Sequence, residues 1–325
     1  MKRRPGSRRR EAVNILENTI FKAHVRRTPL LPLTERKNLF CKLECCQVGG
    51  SFKIRGALST LLTLKDQGKT EGVITASMGN TATGLAYAGK LLHYPVAVVM
   101  PETVSPTKLK ATRKIGAEVI LKGEVGDDAL EYAYELSRKR NIFFIHPHKT
   151  QPFIQGNATI VHEIIEELPG VEQIYIPIGG GGLASGVCQY FQRKRKGFSI
   201  KLIGVEAEQA PAFYLSFREG RPVRLEKMNT IADALTLMEP DPEVFSYLYQ
   251  NLEKVVTVTE EEMISAMKIL IEEFRVITEP GGAASLAAML QENPNIQSAA
   301  IITGGNISLE EFKSLLSLSV HEESS

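Results

Sequence analysis

Two periods of apolar residues alternate along most of the chain. Residues 72–76, 95–100, 118–121 and 142–145 are short runs rich in Val, Ile, Ala and Phe, and their length and composition predict strands. Between them, residues 81–92, 108–115 and 127–140 place apolar side chains at helical spacing, and Gly116 marks a stop before the third strand. A second series follows, with helices over 158–168, 184–195 and 260–274 and strands over 173–178, 200–205 and 299–303. Such alternation predicts parallel sheets covered by helices. The chain therefore reads as α/β, with two open twisted parallel-sheet domains. Residues 71–149 are expected to form a small domain, and residues 11–70 together with 150–325 a large one. No repeat or low-complexity linker separates them, so a ligand is expected between the two.

The pattern breaks most informatively at Gly50-Ser51-Phe52-Lys53-Ile54-Arg55-Gly56-Ala57, where a lysine falls on the first turn of a predicted helix. Ser51 is expected to cap that helix, and Ile54, Ala57, Leu58, Leu61 and Leu62 continue it at helical spacing. Lys53 sits between Phe52 and Ile54 instead of among charges. That setting disfavours the ammonium and lowers the lysine pKa, as a Schiff-base amine requires. Alone, such a lysine is more often one that merely snorkels from a core helix.

Other loops add to it. Gly179, Gly180, Gly181, Gly182 and Leu183 lie between a strand and a helix, where successive backbone N–H groups can form an anion nest at a helix N-terminus. A phosphate is the obvious guest. The same segment also satisfies a relaxed dinucleotide pattern, with Glu206 ending the next strand where a ribose-binding acid belongs, so a nicotinamide enzyme stays open at this point. Ser77, Met78, Gly79, Asn80 and Thr81 join another strand to a helix and offer donors suited to a carboxylate or a phenolic oxygen. Thr303 closes the last strand, where its hydroxyl could meet a ring nitrogen. Glu279 precedes an expected Pro-Gly turn.

Composition narrows the partners. The net charge of +2 hides an uneven distribution: Lys2, Arg3, Arg4, Arg8, Arg9 and Arg10 crowd residues 1–10, leaving 33 basic against 37 acidic residues elsewhere. A mildly acidic body argues against nucleic-acid binding, and the basic tail is expected to be solvated and poorly ordered. No apolar run has the length of a membrane span, and no apolar signal core follows the tail, so neither a membrane nor secretion is expected. Cys41 and Cys45 fall in an apparent strand over 39–45, and with Cys46 and Cys188 read as reduced core thiols.

Together these segments resemble the fold-type II pyridoxal-phosphate enzymes, of the tryptophan synthase β-like fold, and most closely the serine/threonine dehydratases (threonine ammonia-lyases). The likeness runs through Arg27-Thr28-Pro29-Leu30, Lys42-Leu43-Glu44, the lysine segment, Ser77 to Thr81 and the glycine run. It continues through Ile203-Gly204-Val205-Glu206, Thr230-Ile231-Ala232-Asp233, Glu279-Pro280 and Thr303-Gly304-Gly305-Asn306. The resemblance implies pyridoxal 5'-phosphate as cofactor, bound covalently by Lys53, with Phe52 beside the ring and Glu279 close to it. It implies that Asn80 meets the phenolic oxygen, that Gly179 to Leu183 cradle the phosphate, and that Thr303 meets the ring nitrogen. Ser77, Met78, Gly79 and Thr81 would line the substrate site, with Ser77, Gly79 and Thr81 on its carboxylate. The implied reaction converts a small β-hydroxy amino acid, threonine or serine, to a 2-oxo acid and ammonia in a cytoplasmic homodimer.

Lys53-Ile54-Arg55 favours the dehydratase branch, because synthases of the family usually carry Lys-Asp-Arg. Several departures keep replacement, or elimination from another β-substituted amino acid, as the alternative. Met78 stands where dehydratases usually have Ala and serine racemases Ser, so racemisation is not expected. Thr81 replaces a usual His, Ala234 a usual Gly, and Gln155-Gly156-Asn157-Ala158 a usual Gly-Gln-Gly-Thr. Pro211 and Ala212 occupy positions where metal-binding relatives have an acid, so no metal is expected. No regulatory domain is expected after Asn306.

Overall fold

Strands from both ends of the chain meet in one sheet. In the computed structural model, residues 15–104, 106–193, 199–292 and 294–318 are described; the basic tail lies outside them. The strands are β1 (Leu30–Pro32), β2 (Leu39–Leu43), β3 (Val73–Ala76), β4 (Val96–Met100) and β5 (Glu118–Leu121). After them come β6 (Phe143–Phe144), β7 (Gln173–Pro177), β8 (Lys201–Ala207), β9 (Lys254–Val258) and β10 (Ser298–Ile302). A six-stranded sheet has the order β1-β2-β10-β7-β8-β9, and a four-stranded sheet the order β5-β4-β3-β6. Every pairing is parallel except β1 with β2.

Burial follows from position in the sheets. Central β10 and β4 are buried at every residue, as parallel strands covered on both faces must be. Edge strand β5 is half open. One face of the large sheet packs on helices Glu260–Phe274 and Pro280–Glu292, the other on Thr159–Glu167 and Gly182–Arg193. Helix Lys53–Asp66 shares its core with helix Asn80–Leu92 and with β3 and β4. The lysine helix thus packs on helix Asn80–Leu92 on one side and on helix Gln151–Asn157 on the other, where Gly56 and Gly156 allow the close approach.

Some expected elements take another form. The strand over 39–45 ends at Leu43, and Cys45 and Cys46 lie in a 3-10 turn, Glu44–Cys46, held by a hydrogen bond from the Gln47 N–H to the Glu44 carbonyl (3.1 Å). Ser51 does not cap the lysine helix. Its backbone is extended (φ −162°, ψ 163°) and bridges Gly304, so Phe52 takes the cap position without a side-chain bond. The helix expected over 158–168 is present as Thr159–Glu167; a separate helix, Gln151–Asn157, precedes it, and Thr159 Oγ1 donates to the Gly156 carbonyl at the junction. The Pro-Gly turn after Glu279 is instead the start of a buried helix. Pro280 suits a first helical position, and Gly281 and Gly282 let that helix approach Leu235 and the Gly304 backbone. Strands β1 and β9 were absent from the apolar pattern because one is short and half exposed and the other interleaves Thr with Val.

Candidate active site

Four loops at the carboxyl ends of parallel strands converge where ligands bind in open α/β sheets: those after β3, β6, β7 and β10. Lys53 enters from the side, on the first turn of its helix. The Phe52 N–H donates to the Thr303 carbonyl (3.1 Å), the Gly305 N–H to the Gly50 carbonyl (2.9 Å), and Asn306 Nδ2 to the Gly49 carbonyl (2.8 Å). A seam of backbone bonds thus fixes Lys53 against the end of β10. On its other side, a Cβ at Gly84 would lie 2.9 Å from the Lys53 carbonyl carbon, so helix Asn80–Leu92 reaches its observed distance only with glycine there.

The lysine amine lies 4.8 Å from the centre of the Phe52 ring and has no hydrogen bond or ion pair among the described residues. Burial lowers its pKa to about 8, against a smaller opposing pull from Glu279. The Glu279 carboxyl is itself pushed up by burial, which outweighs the hydrogen bond from Asn80. Asn80 Nδ2 donates to Glu279 Oε1 (2.6 Å), and Asn306 Nδ2 donates to Asn80 Oδ1 (2.7 Å), so the orientation of Asn80 is set from both sides. Thr303 is 6 % exposed, its carbonyl held by Phe52 and its N–H by Gly282.

The glycine run follows β7 and opens helix Gly182–Arg193. A Cβ at Gly179 would lie 2.6 Å from the Ala234 carbonyl oxygen, at Gly181 (φ 83°) 2.7 Å from Val244, and at Gly182 2.5 Å from the Pro147 carbonyl oxygen. At Gly180 it would overlap the imidazole of His148. No side chain fits at any of these four positions, leaving a run of bare amides at a helix start. Leu183 is buried behind them.

The loop after β3 is more open. Ser77 Oγ accepts from the Gly79 N–H (3.2 Å), Met78 is 42 % exposed, and Thr81 is buried in the first turn of its helix. Lys108 and Asp233 form a 2.8 Å ion pair that ties the helix after β4 to the segment after Thr230. The expected site residues Phe52, Lys53, Asn80, Glu279 and Thr303 are therefore brought together. Ser77, Met78 and Gly79 line the open side. Glu206 takes a different part: its carboxylate accepts from the Phe213 (2.9 Å) and Tyr214 (2.7 Å) N–H groups and caps helix Ala212–Glu219, so it is committed to structure. His148 is a site neighbour that the sequence pattern passed over. Its one signal was the position of His146-Pro147-His148 just after a strand end.

The profile of a family described as "Pyridoxal-phosphate dependent enzyme" matches residues 21–304. The chain is 35 % identical over 300 residues to an L-threonine ammonia-lyase of Thermotoga maritima, covering 92 % of this chain and 74 % of that protein. It is 37 % identical over 277 residues to a phenylserine dehydratase of Ralstonia pickettii, covering 83 % of each. Among solved structures, the processed form of threonine deaminase isoform 2 from Solanum lycopersicum superposes with a TM-score of 0.85 at 31 % identity, covering 94 % of this chain and 91 % of that one.

Proposed function

The chain belongs to the pyridoxal-phosphate-dependent enzymes, and on that footing we propose that it is an ammonia-lyase converting threonine or serine to a 2-oxo acid and ammonia. The observation that carries this reading is the Lys53 amine, unpaired and with its pKa lowered to about 8, beside a glycine cradle that admits no side chain. The residues fit pyridoxal phosphate: the bare amides suit its phosphate, the lysine amine with its lowered pKa its aldehyde, and the Thr303 hydroxyl its ring nitrogen. When bound, that cofactor supplies an electron sink for the bonds at the amino acid's Cα.

The chain's own residues do the rest. Ser77, Gly79 and Thr81 hold the substrate carboxylate at the amino end of helix Asn80–Leu92, where free N–H groups favour an anion. Lys53, once free of the cofactor, takes the Cα proton as general base, and a pKa of about 8 suits that role near neutral pH. Asn80, fixed by Glu279 and Asn306, orients the phenolic oxygen. Thr303 offers a neutral hydroxyl, which does not hold a proton on the ring nitrogen as a carboxylate does. That limits charge build-up at Cα and favours prompt loss of the β-substituent. A relative named phenylserine dehydratase and the exposed Met78 favour a second reading, elimination from a bulkier β-substituted amino acid.

We assign residues 11–70 and 150–325 to a cofactor-binding domain and 71–149 to a small domain. A cytoplasmic homodimer completes the proposal; among the described residues no helix is long and apolar enough to cross a membrane. The test is ammonia and ketoacid release from a panel led by serine and threonine, with phenylserine and diamino acids behind. Release from threonine or serine is expected. A protein that gains no visible absorbance with added pyridoxal phosphate, or releases ketoacid from none of the panel, overturns the reading.

A further inference from the structure

His148 stands in the glycine cradle without a hydrogen-bonding task there. Its imidazole fills the space a Cβ on Gly180 would claim, and its Cα lies 3.2 Å from the Cβ position of Gly182. The backbone N–H of His148 donates to His146 Nδ1 (3.3 Å), and the two rings meet edge to face at 4.9 Å. Neither ring nitrogen of His148 has a hydrogen-bond partner among the described residues.

Its electrostatic surroundings are one-sided. Burial, His146, Lys53 and Lys149 all disfavour a proton on His148, and only Asp241 favours one. Asp241 is already committed, since it pairs with Lys149 and caps helix Pro242–Tyr249 through the Glu243 and Val244 N–H groups. A neutral imidazole beside cationic groups and bare backbone amides presents an N–H donor that suits an anion.

We propose that His148 is a side-chain ligand of the cofactor phosphate, donating a ring N–H beside the amides of Gly179 to Leu183 and thereby positioning the cofactor against Lys53. The inference deepens the functional reading and rests on its cofactor. Gly180 follows from it: glycine is required there as much to admit the imidazole as to bare an amide. Packing alone would be served equally well by phenylalanine, so the ring nitrogens are what distinguish the two roles.

The experiment compares wild type, His148→Phe and His148→Gln for binding of pyridoxal phosphate and of phosphate-free pyridoxal, followed by absorbance, with the ³¹P resonance of the bound cofactor as a second readout. A charge-assisted hydrogen bond predicts that His148→Phe weakens pyridoxal phosphate about 10- to 100-fold and leaves pyridoxal within about threefold. His148→Gln, which keeps an N–H donor, recovers most of the loss, and the ³¹P resonance moves in His148→Phe. Equal weakening of both ligands, or unchanged binding with an unmoved resonance, overturns the proposal. If the wild type binds pyridoxal phosphate and releases ketoacid in that case, the functional reading stands. A wild type that binds no pyridoxal phosphate sinks both. Thermal melting of the cofactor-free proteins shows that the variants fold.

Discussion

Lys53 and Arg55 are two residues apart on one helix, carry the same formal charge, and live in opposite circumstances. The Arg55 side chain is fully buried and donates to Glu44 (2.7 and 2.8 Å), Glu163 (2.6 and 3.0 Å), Thr159 and the Arg26 carbonyl. Lys42 joins Glu163 at 2.7 Å, and Thr28 donates to Glu44. Burial alone would lower the Arg55 pKa, but Glu44 and Glu163 outweigh it and hold the guanidinium charged. Lys53 has an aromatic face and a distant carboxyl instead, and its pKa falls. The difference lies in the acceptors: Arg55, the more deeply buried of the two, has several, and Lys53 has none among the described residues. Where this fold needs a permanent cation it surrounds it; where it needs a reactive amine it leaves the amine unsatisfied.

Removing each cation breaks the comparison most directly. Lys53→Ala should lower ketoacid formation on the order of 10³-fold or more, while the melting temperature of the cofactor-free protein holds or rises. Turnover within tenfold of wild type contradicts the role given to Lys53. Arg55→Met should do the reverse, leaving the buried Glu44 carboxylate with no cation and only the Thr28 hydroxyl, and Glu163 with Lys42 alone, and destabilising the fold by about 3–5 kcal/mol in urea unfolding. An unchanged midpoint would show that the carboxylates find other partners.

Smaller effects sharpen the contrast. Glu206→Ala strips the start of helix Ala212–Glu219 of its acceptors and should lose about 1–3 kcal/mol by the same measurement, with cofactor binding intact. The rate at which cofactor-free protein captures pyridoxal phosphate should rise with pH to a midpoint near the Lys53 pKa of about 8 and then level, because only the neutral amine reacts. The folded pKa lies below the unfolded one, so the unfolded chain binds more protons between them. Stability from this group therefore increases as pH rises from about 8 through the ordinary lysine range, and Lys53→Met flattens that slope. Glu279→Gln removes the pull that favours the ammonium and should move the capture midpoint lower. A midpoint above pH 10 would mean the amine is solvated after all.

Most of the fold was legible because the central strands of both sheets are uninterrupted apolar runs, and periodicity reports those well. β10 and β4 were found almost residue for residue. What escaped depended on contacts distant in sequence. Ser51 has the chemistry of a cap, but the bridge to Gly304 takes its backbone elsewhere. Glu279-Pro280-Gly281-Gly282 reads as a turn until the close approach to Gly304 explains the glycines. The site was readable in its donors and not in their satisfaction. Asn80 was foreseen, whereas its fixing by Asn306 and Glu279 joins residues far apart along the chain. His148 was missed because a histidine after a strand end carries no spacing signal; only the overlap with Gly180 reveals it.

The seam between residues 49–52 and 303–306 has a consequence for biosynthesis. β10 follows the other nine described strands in the chain, yet it inserts between β2 and β7, and the residues just after it supply the carbonyl and bridge that seat Lys53. Until then β2 and β7 present open edges to each other across a gap, and the amine has no fixed position. A nascent or truncated chain is thus without an assembled reaction centre. Competence arrives only after β10 and the residues that follow it have been made, so a chain that stops short of them lacks the geometry to hold an aldehyde cofactor in place.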